Sequence, residues 1–167
     1  ILWADIRLKR ISNAFIDMES IKFGGLDEFF DISGSSDRDF EYTVAWLDCL
    51  AGGKSFGRGI FMRGNHSELP QEKAPRLPRE ITCTIPFDFP SWALNHFSIK
   101  LFNFAYYGKQ RKKNLRTLIH YNPFFYPLDA VYEWNRIYGK RGMLQFQCAV
   151  PQGEGHEAIR GILTAIV

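Results

Sequence analysis

The segment spanning residues 120–151 constrains the fold most, because the spacing of its apolar residues changes partway along. After Pro127, the residues Leu128, Val131 and Asn135 recur at intervals of three and four, which is the spacing of one face of an α-helix. A proline suits the first turn of such a helix because it has no backbone N–H to leave unpaired. The spacing therefore predicts a short helix after Pro127, which ends at the next glycine.

Residues 142–150 have the two-residue alternation of a β-strand. Successive strand residues point to opposite faces, so Gln145 and Gln147 are predicted to share one face. A neutral amide both donates and accepts hydrogen bonds, and it can hold a polar ligand without placing a charge in a buried site. The solvent-facing side of a half-buried strand would carry the same two glutamines, so both interpretations stay open. The predicted faces are Leu144, Phe146, Cys148 and Val150 on one side and Met143, Gln145, Gln147 and Ala149 on the other.

Strand and helix patterns follow one another along the rest of the chain, with short connections between them. This succession predicts an α+β fold in which helices pack on one face of an antiparallel sheet. The predicted strands are 1–11, 14–21, 40–50, 57–63, 81–85 and 115–121, and the predicted helices are 26–32, 90–105 and 153–167. In the helix at 90–105, the side chains expected to be buried are Trp92, Leu94, Phe97, Leu101, Phe102 and Phe104.

The composition favours a folded, soluble domain in a reducing compartment. Hydrophobic residues make up 46% of the 167 residues, which is enough for a core. The three cysteines, Cys49, Cys83 and Cys148, form no CxxC pair, which argues against a disulfide framework or a zinc site. No apolar run approaches the ~18 residues of a membrane span. The basic clusters at 109–113 and 136–141 are interpreted as solvated loops, since no nucleic-acid motif accompanies them. We expect a cytoplasmic protein, with peripheral attachment to a membrane left open.

Two short motifs suggest phosphate or metal chemistry, and both are incomplete. Residues 52–55 end in Gly-Lys-Ser, but Asp48 stands where a phosphate-binding loop needs its first glycine, so a hairpin turn is predicted. The tetrapeptide at 63–66, Arg-Gly-Asn-His, is similar to an element of two-metal phosphoesterases. The upstream Asp-x-His and Gly-Asp elements of that class are missing. We therefore expect no metal site, and a metal-dependent phosphoesterase is only a third alternative.

Five motifs, read together, resemble one family. The chain is similar to FAD-dependent oxidoreductases of the vanillyl-alcohol-oxidase (PCMH-type) superfamily, and within it to the decaprenylphosphoryl-β-D-ribose 2′-oxidase group. The similarity extends over essentially the whole chain, with the motifs in order at matching spacings. They are FEYTVAWLD at 40–48, LAGGKSFGRG at 50–59, FYPLD at 125–129, EWNRIYG at 133–139 and LQFQCAVP at 144–151.

The resemblance implies a division of the chain and a cofactor. Residues 1–13 would be the last strand of an FAD-binding domain, and residues 14–167 would be part of the substrate domain, also called the cap. The glycines that cradle the flavin and a C-terminal part that carries a catalytic-site lysine would lie outside this chain. The chain is therefore expected to be a fragment that is inactive alone, with FAD bound mainly by a domain that it lacks and no catalytic residue of its own.

The resemblance also implies which residues line the substrate pocket. Trp46 matches a pocket tryptophan, although its pattern alone fits either the core or a wall for a planar ligand. Gln145 and Gln147 match a Gln-aromatic-Gln pair that faces flavin and substrate. Phe125, followed by Tyr126, falls where relatives have a pocket tyrosine. That change removes a hydroxyl group and puts a polyprenyl-phosphoryl ribose substrate in doubt.

The function expected for the complete protein is oxidation of an alcohol group, of a sugar or polyol, by hydride transfer to flavin. The expected partner is this small-molecule substrate, with no nucleic acid and no transmembrane segment. A non-catalytic binding or interaction module is the alternative from a different functional class. The sequence does not fix the substrate, the electron acceptor, the attachment of FAD or the oligomeric state.

Overall fold

The structure is a computed structural model that describes residues 3–75 and 82–166. It is an α+β fold, as the sequence predicted. The strands are β1 Phe15–Phe23, β2 Tyr42–Leu47, β3 Gly59–His66, β4 Cys83–Thr84, β5 Asn114–His120 and β6 Val131–Tyr132. The α-helices are α1 Leu26–Ser36, α2 His96–Lys109, α3 Tyr121–Phe125 and α4 Gly155–Ile166, and short 3₁₀ helices span Gly53–Ser55, Gln71–Lys73, Trp134–Arg141 and Gln152–Glu154.

Four strands form the main sheet, in the spatial order β2-β3-β1-β5 with antiparallel neighbours. The strands β2 and β3 are joined by the predicted hairpin, in which the Gly-Lys-Ser sequence forms one 3₁₀ turn. Because β1 lies between β3 and β5, its residues from Ile16 to Ile21 have a partner on both sides. Glu19, for example, stands between Arg63 of β3 and Arg116 of β5.

Helices cover both faces of this sheet, although we expected them on one. Alternate residues of β1 belong to two separate apolar clusters, since strand side chains alternate between faces. Ile16 and Met18 pack with Phe124 of α3 on one face. Phe23 packs with Phe29 of α1 on the opposite face. The antiparallel α+β class is confirmed, and the sheet is the central layer between helices.

The predicted strand at 1–11 is wrong where the structure describes it. Residues 3–11 have no regular secondary structure, and Trp3, Ile6 and Leu8 are exposed. Residues 1 and 2 lie outside the described part of the chain. Alternation alone does not make a strand, because a strand without a neighbour leaves its backbone N–H and C=O groups unpaired.

The helix predicted at 90–105 begins later, at His96. Asn95 precedes it, and its side chain accepts hydrogen bonds from the backbone N–H groups of Phe97 and Ser98, while the Ser98 hydroxyl accepts one from the Asn95 N–H. This capping box fixes the start of the helix and outweighs the signal from Pro90. The side chains expected to be buried are instead exposed: Trp92, Leu94, Phe97, Leu101, Phe102 and Phe104.

The helix predicted after Pro127 is wrong over residues 128–133, whereas Trp134–Arg141 is a 3₁₀ helix interrupted at Gly139. The strand predicted at 142–150 is wrong. Val131 and Tyr132 form a parallel bridge with Cys83 and Thr84, and this pairing removes them from any helix. Residues 142–150 lie outside helices and strands, and Leu144 is fully exposed at 100%. Cys148, which we predicted to share a face with Leu144, is exposed as well. Of the strand predicted at 81–85, residue 81 lies outside the described residues.

None of the helices in residues 3–75 and 82–166 is both long enough and apolar enough to cross a membrane.

Candidate functional site

Trp46 and Phe125, two of the predicted site residues, lie on the same face of the main sheet. On β2, the side chains of Tyr42 and Trp46 point to one face because they are four residues apart. Phe125 of α3 contacts Tyr42 edge-on, with ring centroids 5.1 Å apart. We call this surface, formed by Tyr42, Trp46, Tyr106 and Phe125, the aromatic face.

Tyr106 is a member of the aromatic face that the sequence did not reveal. Its ring lies 4.7 Å from that of Trp46, and both side chains are half-buried. Helix α2 brings it there, because Asn103, one turn earlier, is buried and donates a hydrogen bond of 2.8 Å to the carboxylate of Asp48. Only the tertiary position of α2 reveals this neighbour, since the local sequence reads as an ordinary aromatic helix.

A buried ion pair fixes the hairpin that carries Trp46. The Asp48 side chain is only 3% exposed and accepts two hydrogen bonds from Arg58, from Nε at 3.0 Å and Nη2 at 2.9 Å. Its other oxygen accepts from Asn103 and from the backbone N–H of Leu50. A buried carboxylate is stable only when its oxygens are satisfied in this way. Asp48 is therefore a structural group that holds α2 against the hairpin.

The other end of the aromatic face contains hydroxyl and imidazole groups. Tyr42 lies edge-on to His66, at 5.4 Å. Burial raises the pKa of Tyr42, and the neighbouring carboxylate of Glu41, which accepts a hydrogen bond from the Tyr42 hydroxyl, raises that pKa further. The buried Nδ1 atom of His66 has no hydrogen-bond partner within the part of the chain that the structure describes. Tyr126, next to Phe125, is 54% exposed.

The structure does not bring Gln145 and Gln147 to the aromatic face. Both side chains are exposed in the irregular segment 142–150, and no hydrogen bond in the described ranges joins them to Trp46 or Phe125. Their assignment to the substrate or flavin stays a prediction.

The opposite face of the sheet holds a charged cluster that accounts for part of the Arg-Gly-Asn-His tetrapeptide. Arg63 binds the carboxylate of Glu19 through Nε at 2.8 Å and Nη2 at 2.6 Å, and Arg116 binds its other oxygen at 3.2 Å. Burial raises the pKa of Glu19, but the hydrogen bonds from the two guanidinium groups outweigh burial and hold that pKa below its ordinary value. Asn65 bonds the backbone of Glu41.

Next to this cluster is an open cavity of about 520 Å³. Among residues 3–75 and 82–166, no three His, Cys, Asp or Glu side chains are grouped so that they could hold a metal ion. The Arg63 and Asn65 side chains have structural partners instead.

One comparison with known proteins bears on the function. In an alignment of 175 positions, the chain is 30% identical to the protein named decaprenylphosphoryl-beta-D-ribose oxidase from Mycolicibacterium smegmatis. The alignment covers 99% of this chain and 37% of that relative, so the chain spans just over a third of its length. No family model matches the chain. The resemblance seen in the sequence motifs is confirmed by this similarity.

Proposed function

We propose that the chain is part of an FAD-dependent oxidoreductase that oxidises an alcohol group of a sugar or polyol, and that residues 14–167 contribute to its substrate domain. The observation that carries this proposal is the 30% identity to the ribose oxidase over nearly the entire chain. The aromatic face supports it independently, because two residues chosen from the motifs, Trp46 and Phe125, lie on the same side of the sheet.

In this proposal the aromatic face is one wall of the substrate pocket. Trp46 presents a flat ring that suits the apolar face of a sugar, and Tyr106 fixes its orientation by contact at 4.7 Å. The Tyr42 hydroxyl, which is hydrogen-bonded to the Glu41 carboxylate, would donate to a substrate oxygen only by exchanging that bond. Phe125 has no hydroxyl and packs only, so we propose a sugar or polyol without assigning the polyprenyl-phosphoryl group of the relative's substrate.

The described residues do not fit the pyrophosphate of FAD. The best candidate is the turn at Gly24 and Gly25, which leads from β1 into the N-terminus of α1, where an anion would be favoured. The first turn of α1 instead carries Asp27 and Glu28, and the Glu28 carboxylate already accepts the Gly24 N–H at 2.8 Å. A phosphate there would be repelled, so the cofactor would be held mainly by residues outside this chain.

FAD, when bound, supplies the two-electron chemistry, and the protein supplies orientation and electrostatics. The residues of this chain would bind the substrate and hold its reacting carbon in position. Gln145 and Gln147 would hydrogen-bond substrate hydroxyls, as the resemblance implies. For that role the exposed segment 142–150 has to face the substrate in the complete protein.

The proposal is tested first by the intact mass and the visible absorption spectrum of the purified full-length gene product. Flavin bands that bleach anaerobically on addition of a sugar or polyol would support it. A colourless, folded product that does not bind added FAD would refute it and favour the alternative, a non-catalytic binding module.

The site assignment is tested by Gln147→Leu in that protein. Loss of one hydrogen bond to a polar substrate should lower kcat/KM by about tenfold or more, which corresponds to ~1.4 kcal/mol. Because Gln147 is exposed in this structure, its substitution should leave the stability unchanged. The exposed amide of Asn114 on β5 provides the control, Asn114→Leu. Equal kinetics for both variants would refute the role of Gln147 without affecting the flavin test.

A further inference from the structure

Helix α2 has an apolar outer side, and its inner side makes several polar contacts besides the contact between Tyr106 and Trp46. On the inner side, Asn103 bonds the buried Asp48 at 2.8 Å, and the Tyr107 hydroxyl donates to a backbone carbonyl of β1 at 3.0 Å. The Ser20 hydroxyl donates to Gln110, directly after the helix, at 2.7 Å. A surface helix of a globular protein normally turns its apolar side to the core. Here polar contacts and the Tyr106 ring hold the helix, and the apolar side that carries Phe97, Leu101 and Phe104 is exposed.

The outer side carries Phe97, Leu101 and Phe104, which follow the helical spacing of four and three residues and therefore lie on one face. Their exposed fractions are 75%, 58% and 65%. We call these three residues the α2 stripe. Single exposed apolar residues are ordinary, but a contiguous row of large ones marks an interaction surface.

The sequence segment that contains the stripe carries charges of one sign. Residues 89–128 contain no Asp or Glu, and the basic residues in this range are Lys100, Lys109, Arg111, Lys112, Lys113 and Arg116. Lys109, Arg111 and Lys112 are exposed at the C-terminal end of α2. Lys113 is paired with Glu28, whereas no ion pair to Arg111 or Lys112 is present among the described residues. An apolar stripe therefore ends in a cluster of exposed positive charge.

We propose that this surface of α2 docks on an anionic lipid membrane. The phenyl and leucyl side chains would enter the boundary between headgroups and acyl chains, and the basic cluster at 109–113 would bind headgroup phosphates. An aromatic stripe beside lysine and arginine is the pattern by which helices lie in a membrane interface. A protein partner would match the stripe alone, but the absence of acids over residues 89–128 favours a partner that is uniformly negative. The proposal does not depend on the proposed enzymatic function.

The test is co-sedimentation of the full-length protein with phosphatidylcholine vesicles, with and without phosphatidylglycerol. We expect binding to the anionic vesicles that weakens as salt is raised. Phe97→Ser with Phe104→Ser should reduce that binding by about tenfold or more. Arg111→Glu with Lys112→Glu should reduce it by at least about tenfold and abolish the preference for anionic vesicles.

Two controls carry matched changes on other exposed residues. Arg38→Glu with Lys73→Glu reverses the same amount of charge, and Trp3→Ser removes an aromatic side chain that is 79% exposed. Neither should change vesicle binding by more than about twofold.

The proposal is overturned if the wild-type protein binds neither vesicle, because another part of the protein would then cover the stripe. It is overturned equally if the controls weaken binding as much as the test variants. A third outcome against it is a dimer that Phe97→Ser with Phe104→Ser dissociates while no vesicle binding occurs, since the stripe would then contact a second copy.

Discussion

Replacement of Arg63 by methionine tests whether the tetrapeptide at 63–66 serves the fold. The Arg63 side chain is 18% exposed and makes two hydrogen bonds to the Glu19 carboxylate, which is itself 10% exposed. A third hydrogen bond, of 3.0 Å, reaches the buried Ser36 hydroxyl at the end of α1. In Arg63→Met, Glu19 keeps only the bond from Arg116, whose side chain is 85% exposed.

The expected loss of stability follows from these contacts. Removing one partner of a buried ion pair costs about 3–5 kcal/mol, because the remaining charge stays desolvated. Since Arg116 still binds Glu19, we expect the lower end, ~3 kcal/mol in the free energy of unfolding. Urea unfolding at pH 7 measures it. Arg38→Met, at an exposed position, should change the stability by less than about 0.5 kcal/mol.

The pH dependence of the stability difference is a second test of the same substitution. The pKa of Glu19 lies below its ordinary value of 4.5 in the folded wild-type protein, so its stabilising contribution is present above that pH and is lost as the pH falls through the folded pKa. Without Arg63, burial favours the protonated form of Glu19. Lowering the pH then removes the buried negative charge that destabilises the variant. The stability difference between the two proteins should therefore shrink as the pH falls below 4.5. A deficit equal to that of Arg38→Met, or one that is independent of pH, would refute this account.

Two further substitutions test the parts that position Trp46. A Cβ at Gly59 would collide with the backbone carbonyl of Trp46 across the β2–β3 pair, so Gly59→Ala should lower the free energy of unfolding by about 1–3 kcal/mol. The control is Gly52→Ala, which should not lower it, because a Cβ at Gly52 meets nothing within 4 Å. Asn103→Ala removes the hydrogen bond from α2 to the buried carboxylate of the hairpin and should cost about 1–3 kcal/mol. Its control is Lys100→Ala, at an exposed site on α2. Denaturant unfolding measures the stability of all four variants. Equal losses of stability for a variant and its control would contradict the assigned contacts.

The sequence predicted the elements whose signals are local. The alternation at 40–50 corresponds to β2, in which Tyr42 and Trp46 lie on one face. This strand was predictable because both the alternation and the hairpin turn that follows depend on residues close together in the sequence. The amphipathic spacing at 153–167 likewise gives α4, with Leu163 buried. The motifs also named Trp46 and Phe125, which lie on one face of the sheet, and their role in a substrate site stays a prediction.

Which predicted segments pair with another segment is determined only by the tertiary structure. The alternation at 142–150 is as regular as that of β2, yet it forms no strand, because backbone pairing needs a neighbour that the local sequence does not specify. The docking of helix α2 places Tyr106 in the aromatic face. The register of β3 and β5 on β1 places Arg63 and Arg116 beside Glu19. Local periodicity sets the face on which a side chain lies, whereas its neighbours depend on contacts between residues far apart in the chain.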